Sequence, residues 1–237
     1  MNPFRSFVVL LLLLLTGEAM AQKQRVLNLP NFDKKTLHYG FSLQVNSAGF
    51  ITRFNNTLAT NDSLFAIRSE SQPGFCIGLI ANYSFLEYLD LRFIPAISFV
   101  SRNLVYTINT KRYGLLEVEK PLESTFLEFP LLLKYKSARL NNIRFYVVGG
   151  MKYVLDMSST KDLAPGSIDN VIVKIRKNDF MYEVGVGMDF YLEYFKLSPE
   201  LKYSFGMRDL LVRDGSIYTS AIERLTSRLF YLSLTFE

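Results

Sequence analysis

FMYEVGVGMDFYLEYFKLSPELKYSF, residues 180–205, decides the fold. Phe180, Tyr182, Val184, Val186, Met188 and Phe190 take every second position, with Glu183, Gly185, Gly187 and Asp189 between them. After a short turn at 191–194 the pattern restarts, setting Phe195, Leu197, Pro199, Leu201, Tyr203 and Phe205 against Lys196, Ser198, Glu200, Lys202 and Ser204. Successive side chains of a strand point to opposite faces, so a period of two over about ten residues makes an amphipathic strand. Two such strands on a tight turn form an antiparallel hairpin. About ten residues is also what a tilted strand needs to cross a hydrocarbon layer.

The same design recurs along the chain at 37–45, 75–85, 89–99, 125–135, 143–155 and 230–236. In these runs the apolar parity holds no Asp, Glu, Lys or Arg, although 21 % of the chain is charged. That bias is what a lipid-facing surface demands, because an Arg or Lys at mid-membrane costs about 2–4 kcal/mol. A lipocalin-like soluble barrel requires the reverse, apolar inside and polar outside. The connections alternate between long (46–74, 100–124, 156–179, 206–229) and short (86–88, 136–142, 191–194). Short periplasmic turns and longer outer loops are the expected layout of an even-stranded barrel. The expectation is therefore an all-β, eight-stranded antiparallel up-and-down transmembrane barrel of the outer membrane over residues 37–237, with both termini periplasmic. Val171, Val173 and Ile175 alternate with the opposite parity, which predicts a hairpin above the membrane separated from the next strand by a bulge or turn. Two turns share a pattern, LEYLDL at 86–91 and LEYFKL at 192–197. Tyr83, Phe85, Phe190 and Tyr191 beside them suit an interfacial girdle in a chain without Trp.

Bulk properties agree. The chain is 49 % hydrophobic and 14 % aromatic, yet beyond the N-terminus it has no apolar run of the roughly 18 residues that a membrane helix needs. Arg5, the apolar run Val8 to Leu15 and the small residues Ala19 and Ala21 form the three parts of a signal peptide, predicted over 1–21 with cleavage before Gln22. That apolar core is too short for a spanning helix, and no Cys follows the cleavage site to carry a lipid. The net charge of +5 is spread rather than clustered, which points to lipid and lipopolysaccharide phosphates and not to nucleic acid. Cys76 stands alone and suits packing better than redox chemistry.

The inward parity collects Asp90, Arg92, Glu128, Lys134, Arg144, Lys152, Glu183, Asp189, Lys196, Glu200 and Lys202. An eight-stranded barrel is just wide enough for side chains to fill it, so these charges must pair. The expectation is a plugged interior crossed by salt bridges, with a proton or ion path as the alternative. His38 lies on the polar face near the periplasmic end of the first strand, without an identifiable acid or nucleophile partner. No phosphate loop, metal cluster or nucleophile elbow accompanies it, so no cofactor and no catalytic residue are expected. The segment 22–36 reads as a periplasmic tail, with Leu29, Pro30 and Phe32 as a possible contact site or as part of a flexible tether.

Four stretches resemble the PorT family of barrels tied to type IX secretion: NLPNFD at 28–33 leading into LHYGF at 37–41; STFLEFPLLLKYKS at 124–137; YEVGVGMDFYLEYFKLSPE at 182–200; and SRLFYLSLTFE at 227–237. The resemblance implies a non-enzymatic accessory part in exporting proteins across the outer membrane, in company with other secretion-system proteins. It offers no catalytic residues to carry over. Two other functions compete: a general small barrel whose loops bind surface partners or lipopolysaccharide, and a lipid-modifying enzyme using His38. One departure from the common barrel pattern is that Glu237 follows the last aromatic, Phe236.

Overall fold

The computed structural model describes residues 27–54, 64–110, 114–158, 175–213 and 222–237. The expected signal peptide and the alternating residues Val171 and Val173 lie outside them. Among the described residues nine strands follow one another: β1 (Leu37–Phe54), β2 (Leu64–Leu86), β3 (Leu89–Phe93), β4 (Ala96–Thr110), β5 (Gly114–Lys136), β6 (Ile143–Asp156), β7 (Asn178–Tyr191), β8 (Lys196–Gly206) and β9 (Ile222–Phe236). Each pairs antiparallel with its neighbours, and β9 pairs back onto β1 through Phe41–Phe236 to Phe54–Ile222, closing the ring. The fold is an eight-stranded barrel, because β3 and β4 together make one crossing between β2 and β5. The run expected as one strand at 89–99 breaks at Ile94-Pro95, where proline has no N–H for the ladder. The carbonyls of Pro95 and Pro130 still accept from Leu79 and Ile94 at 3.0 and 3.2 Å. Side-chain facing survives the break: Arg92 and Ala96 stay buried, Phe93 and Ile97 exposed.

The alternation is realised around the ring. Leu43, Val45, Leu79, Ile97, Leu133, Val147, Val184, Val186 and Leu232 point outward, each about half exposed or more. An apolar belt of this extent is far beyond what a water-facing monomer carries. Rings pair across strands on this face, as in Phe41–Phe236, Phe75–Phe99 and Tyr153–Phe180 with centroids 4.8, 4.7 and 4.9 Å apart.

Two further features differ from the sequence expectation. The connections 46–74 and 100–124 are largely strand, since β2 and β5 run for 23 residues each, about twice the membrane requirement. Beyond the hydrocarbon a strand no longer needs an uncharged parity, so the test that located the crossings is blind to their continuation. The β1–β2 pairing ends at Ala48–Gln72, while β2–β4 pairing continues to Leu64–Ile108. Tyr191 is not part of a girdle: it is buried and points inward at the short-turn end.

Candidate functional site

The barrel interior is the candidate site, and strand register builds it. Asp90 pairs in register with Lys134, Arg144 with Asp189, and Glu183 with Ser204. The glycines between the charges of β7 make room for the rest. Gly185 lies opposite Lys202 and Gly187 opposite Glu200. A Cβ on Gly187 would stand 2.5 Å from the Tyr146 ring, so only glycine lets that ring cross the lumen.

At the centre, Lys152 lies 3.1 Å from Glu128 and 2.9 Å from Glu183 and donates to the Tyr231 hydroxyl at 3.0 Å. Tyr231 donates in turn to Glu128 at 2.7 Å. Lys202 stands 3.5 Å from Glu183 and 3.7 Å from Glu200. Arg92 bridges Glu200 and Glu237, the latter at 3.0 Å, and Tyr146 donates to Glu200 at 2.6 Å. Lys134 grips both oxygens of Asp189 at 2.8 and 2.9 Å and sits 3.6 Å from the Tyr146 ring centroid. Lys196 pairs with Glu237, and Lys136 with Asp90 at 2.6 Å. Arg92, Lys134, Lys152 and Asp189 are wholly buried. Such charges are tolerated because each has an opposite charge and further hydrogen bonds.

Of the residues singled out in the sequence, Arg92, Glu128, Lys134, Lys152, Glu183, Asp189, Glu200 and Lys202 come together in this network, whereas Arg144 turns to the short-turn mouth and bonds Asp33 at 3.1 Å. Strand parity sets Tyr146 and Tyr231 inward, but sequence reasoning gave their hydroxyls no part in the network. It also missed the role of Glu237, although its place after the last aromatic was the signal.

The mouth at the short turns is covered by residues 27–36. A single 3-10 turn at Phe32–Lys34 sets the Phe32 ring 4.2 Å from the His38 ring and edge-on to Tyr191. The Lys196 ammonium lies 4.6 Å from the Phe32 centroid. His38 Nε2 is 2.8 Å from the Phe32 carbonyl. Asp33 accepts from the Tyr191 hydroxyl at 2.9 Å, and Asn28 bonds Asn142 and the Tyr191 carbonyl. Pro30 is exposed, and Leu29 is half-buried with a φ of 49°.

Toward the long loops the interior changes character. Ala48, Val100, Phe126, Val154, Met181 and Leu229 form one buried cluster. Arg102 enters it between the rings of Phe50 and Phe126, 4.5 and 4.9 Å from their centroids, with Ser124 at 3.0 Å and Asp156 at 3.8 Å. Among the described residues no group of three or more His, Cys, Asp or Glu side chains could hold a metal ion.

No curated protein sequence matches the chain. Solved structures similar to it include Neisserial surface protein A, 9 % identical over 85 % of this chain and 98 % of that one with a TM-score of 0.43. The outer membrane protein OprG from Pseudomonas aeruginosa is 12 % identical over 83 % and 95 %, TM-score 0.41. AlkL in lipid bilayers is 13 % identical over 90 % and 92 %, TM-score 0.44. The family described as outer membrane protein beta-barrel domain matches residues 20–212, so this closed ring with its apolar exterior and ion-paired interior belongs to that family and to the bacterial outer membrane.

Proposed function

We propose that the protein is a non-enzymatic accessory component of PorT-type protein export, the type IX system, and that it acts through its surfaces rather than by passage. The carrying observation is the filled lumen, with Arg92, Lys134 and Lys152 wholly buried among carboxylates across the bore. On this proposal residues 1–21 are a cleaved signal peptide, residues 22–36 are periplasmic, and both termini face the periplasm. Lipid and lipopolysaccharide surround the wall, and other secretion proteins meet the exposed tail residues near Leu29 and Pro30. Phe32 serves the barrel itself, through His38 and Tyr191. The test is deletion of the gene with the surface-delivered proteins quantified. Loss of cargo delivery with an intact outer membrane is expected, and unchanged delivery overturns the assignment.

A second function rests on the strands that outrun the membrane. β2, β4 and β5 continue well past the apolar belt, a surface suited to an external partner. Replacing residues 107–117, whose ends pair in register, by a tight turn separates the two. Delivery that survives this change while surface binding is lost favours the second function.

A further inference from the structure

A concavity of about 700 Å³ lies on the outer wall, across β5 to β9. Its sides are Tyr135, Phe145, Val147, Val186, Met188 and Leu232, all on the parity that faces hydrocarbon. The hollow is open to the outside, and its volume falls within the 300–1,000 Å³ range typical of small-molecule sites. Beneath it lies an interruption in the wall. The β7–β8 ladder runs to Gly187–Glu200, stops, and resumes at Phe190–Leu197. Pro199, which lines the hollow, has no N–H to give there. On the lumen side the gap is spanned by the Ser198 hydroxyl donating to Asp189 at 2.6 Å. The outer side has only the apolar hollow. In hydrocarbon, weakened backbone pairing is costly unless it is covered.

We propose that this hollow is a seat for one acyl chain of a membrane lipid, held long enough to survive removal of the surrounding lipid. The choice of occupant follows from polarity and place. The hollow is continuous with the lipid-facing belt; its outward-facing side chains are apolar except at one end, and the inward residues Tyr146 and Glu200 also line it. The polar end is Ser137, in the turn after β5, whose hydroxyl donates to the Ala138 carbonyl at 2.9 Å, and on this proposal the lipid's ester and headgroup lie beside it. A protein strand would need a free sheet edge, and a closed ring offers none at this height. The chain covers the Pro199 interruption and thereby supports the Asp189–Ser198 side of the ion-pair network.

The test is native mass spectrometry of the intact barrel, released from detergent after extensive delipidation and then titrated with a defined phosphatidylethanolamine. Val186→Trp fills the hollow with an apolar ring, while Leu79→Trp adds the same ring on the opposite wall. Heat-shifted gel mobility establishes that all three proteins are folded. One retained phospholipid is expected on the wild type and on Leu79→Trp, with occupancy reduced roughly tenfold in Val186→Trp. Equal occupancy in both variants overturns the proposal. So does a wild type that carries no lipid but dimerises, with Val186→Cys cross-linking two copies, since the hollow would then seat a second chain.

Discussion

Toward the short turns the interior holds Lys134, Asp189, Arg92, Glu200 and Glu237 in contact with one another. Toward the long loops it holds Phe126, Val154, Met181 and Leu229, with Arg102 sandwiched between two rings. Both fillings close the same barrel, but by different physics. The ionic half depends on every charge keeping its partner, because a buried charge without one is heavily penalised. The apolar half depends on volume and tolerates the loss of a polar group better. Both fillings lie behind the same apolar belt, Lys134 between outward Leu133 and Tyr135 and Met181 between outward Phe180 and Tyr182, so the division is set by which residues the inward parity carries.

Removing one partner in the ionic half should therefore have the largest effect. Lys134→Met strands Asp189, which among the described residues keeps only Ser198 as a close hydrogen-bond donor, and is expected to cost about 3–5 kcal/mol. Urea unfolding in lipid vesicles measures it, and the double variant Lys134→Met/Asp189→Leu should recover most of the loss. If the double variant is as unstable as the single one, the pairing logic fails for this half.

The wall supplies the next comparison. Val184→Arg puts a charge on the lipid face and is expected to cost about 2–4 kcal/mol, read as lost assembly in the outer membrane. Its register partner's neighbour Ser204 faces inward and donates to Glu183 at 2.7 Å. Ser204→Ala should then cost about 1.5–3 kcal/mol, because the acceptor is a buried carboxylate. From facing alone that substitution would pass for harmless. In the apolar half, Arg102→Met should cost only about 1–2 kcal/mol. Asp156 keeps its bond from Ser124 at 2.9 Å and is partly exposed, and methionine fills the space between the rings. An effect as large as that of Lys134→Met would erase the distinction between the halves.

The facing of the crossings was legible because lipid forbids charge on one parity and leaves the other free. The charged inward residues were legible for the same reason. What escaped was everything that parity does not constrain. Val154 and Leu229 are apolar and inward, indistinguishable by hydropathy from outward Leu155 and Phe230. The extension of β2 to Leu64 escaped because Arg68 and Glu70 sit on what would have been one face or its neighbour without penalty outside hydrocarbon. Tyr191 resembled a girdle residue by its type and its place beside the turn, although the parity of β7 sets it inward with Glu183 and Asp189, where it bonds Asp33, 158 positions away.

The smallest effect on stability is expected at the mouth, where residues 27–36 cover the ionic half. Phe32→Ala removes a half-buried ring that stacks on His38 and meets Lys196. Its loss should cost about 1 kcal/mol, since a ring pair contributes about 0.5–1.5 kcal/mol beyond its area. Accessibility should change far more. The chain has one histidine, so in an untagged protein a histidine-selective acylating reagent reports on His38 alone. In the wild type His38 is 7 % exposed, with its Nε2 against the Phe32 carbonyl. In Phe32→Ala the ring that shields it is gone, and acylation should quicken roughly tenfold while the unfolding midpoint barely moves, because exposure of the reactive nitrogen is local and global stability is not. The corresponding truncation in the apolar half, Phe50→Ala, should leave the His38 rate unchanged, since Phe50 packs on Arg102 at the other end. Unaltered acylation in Phe32→Ala means that the segment 27–36 does not seal the mouth. Acceleration in both variants means that the two halves open together, and the division between them is then not a division in dynamics.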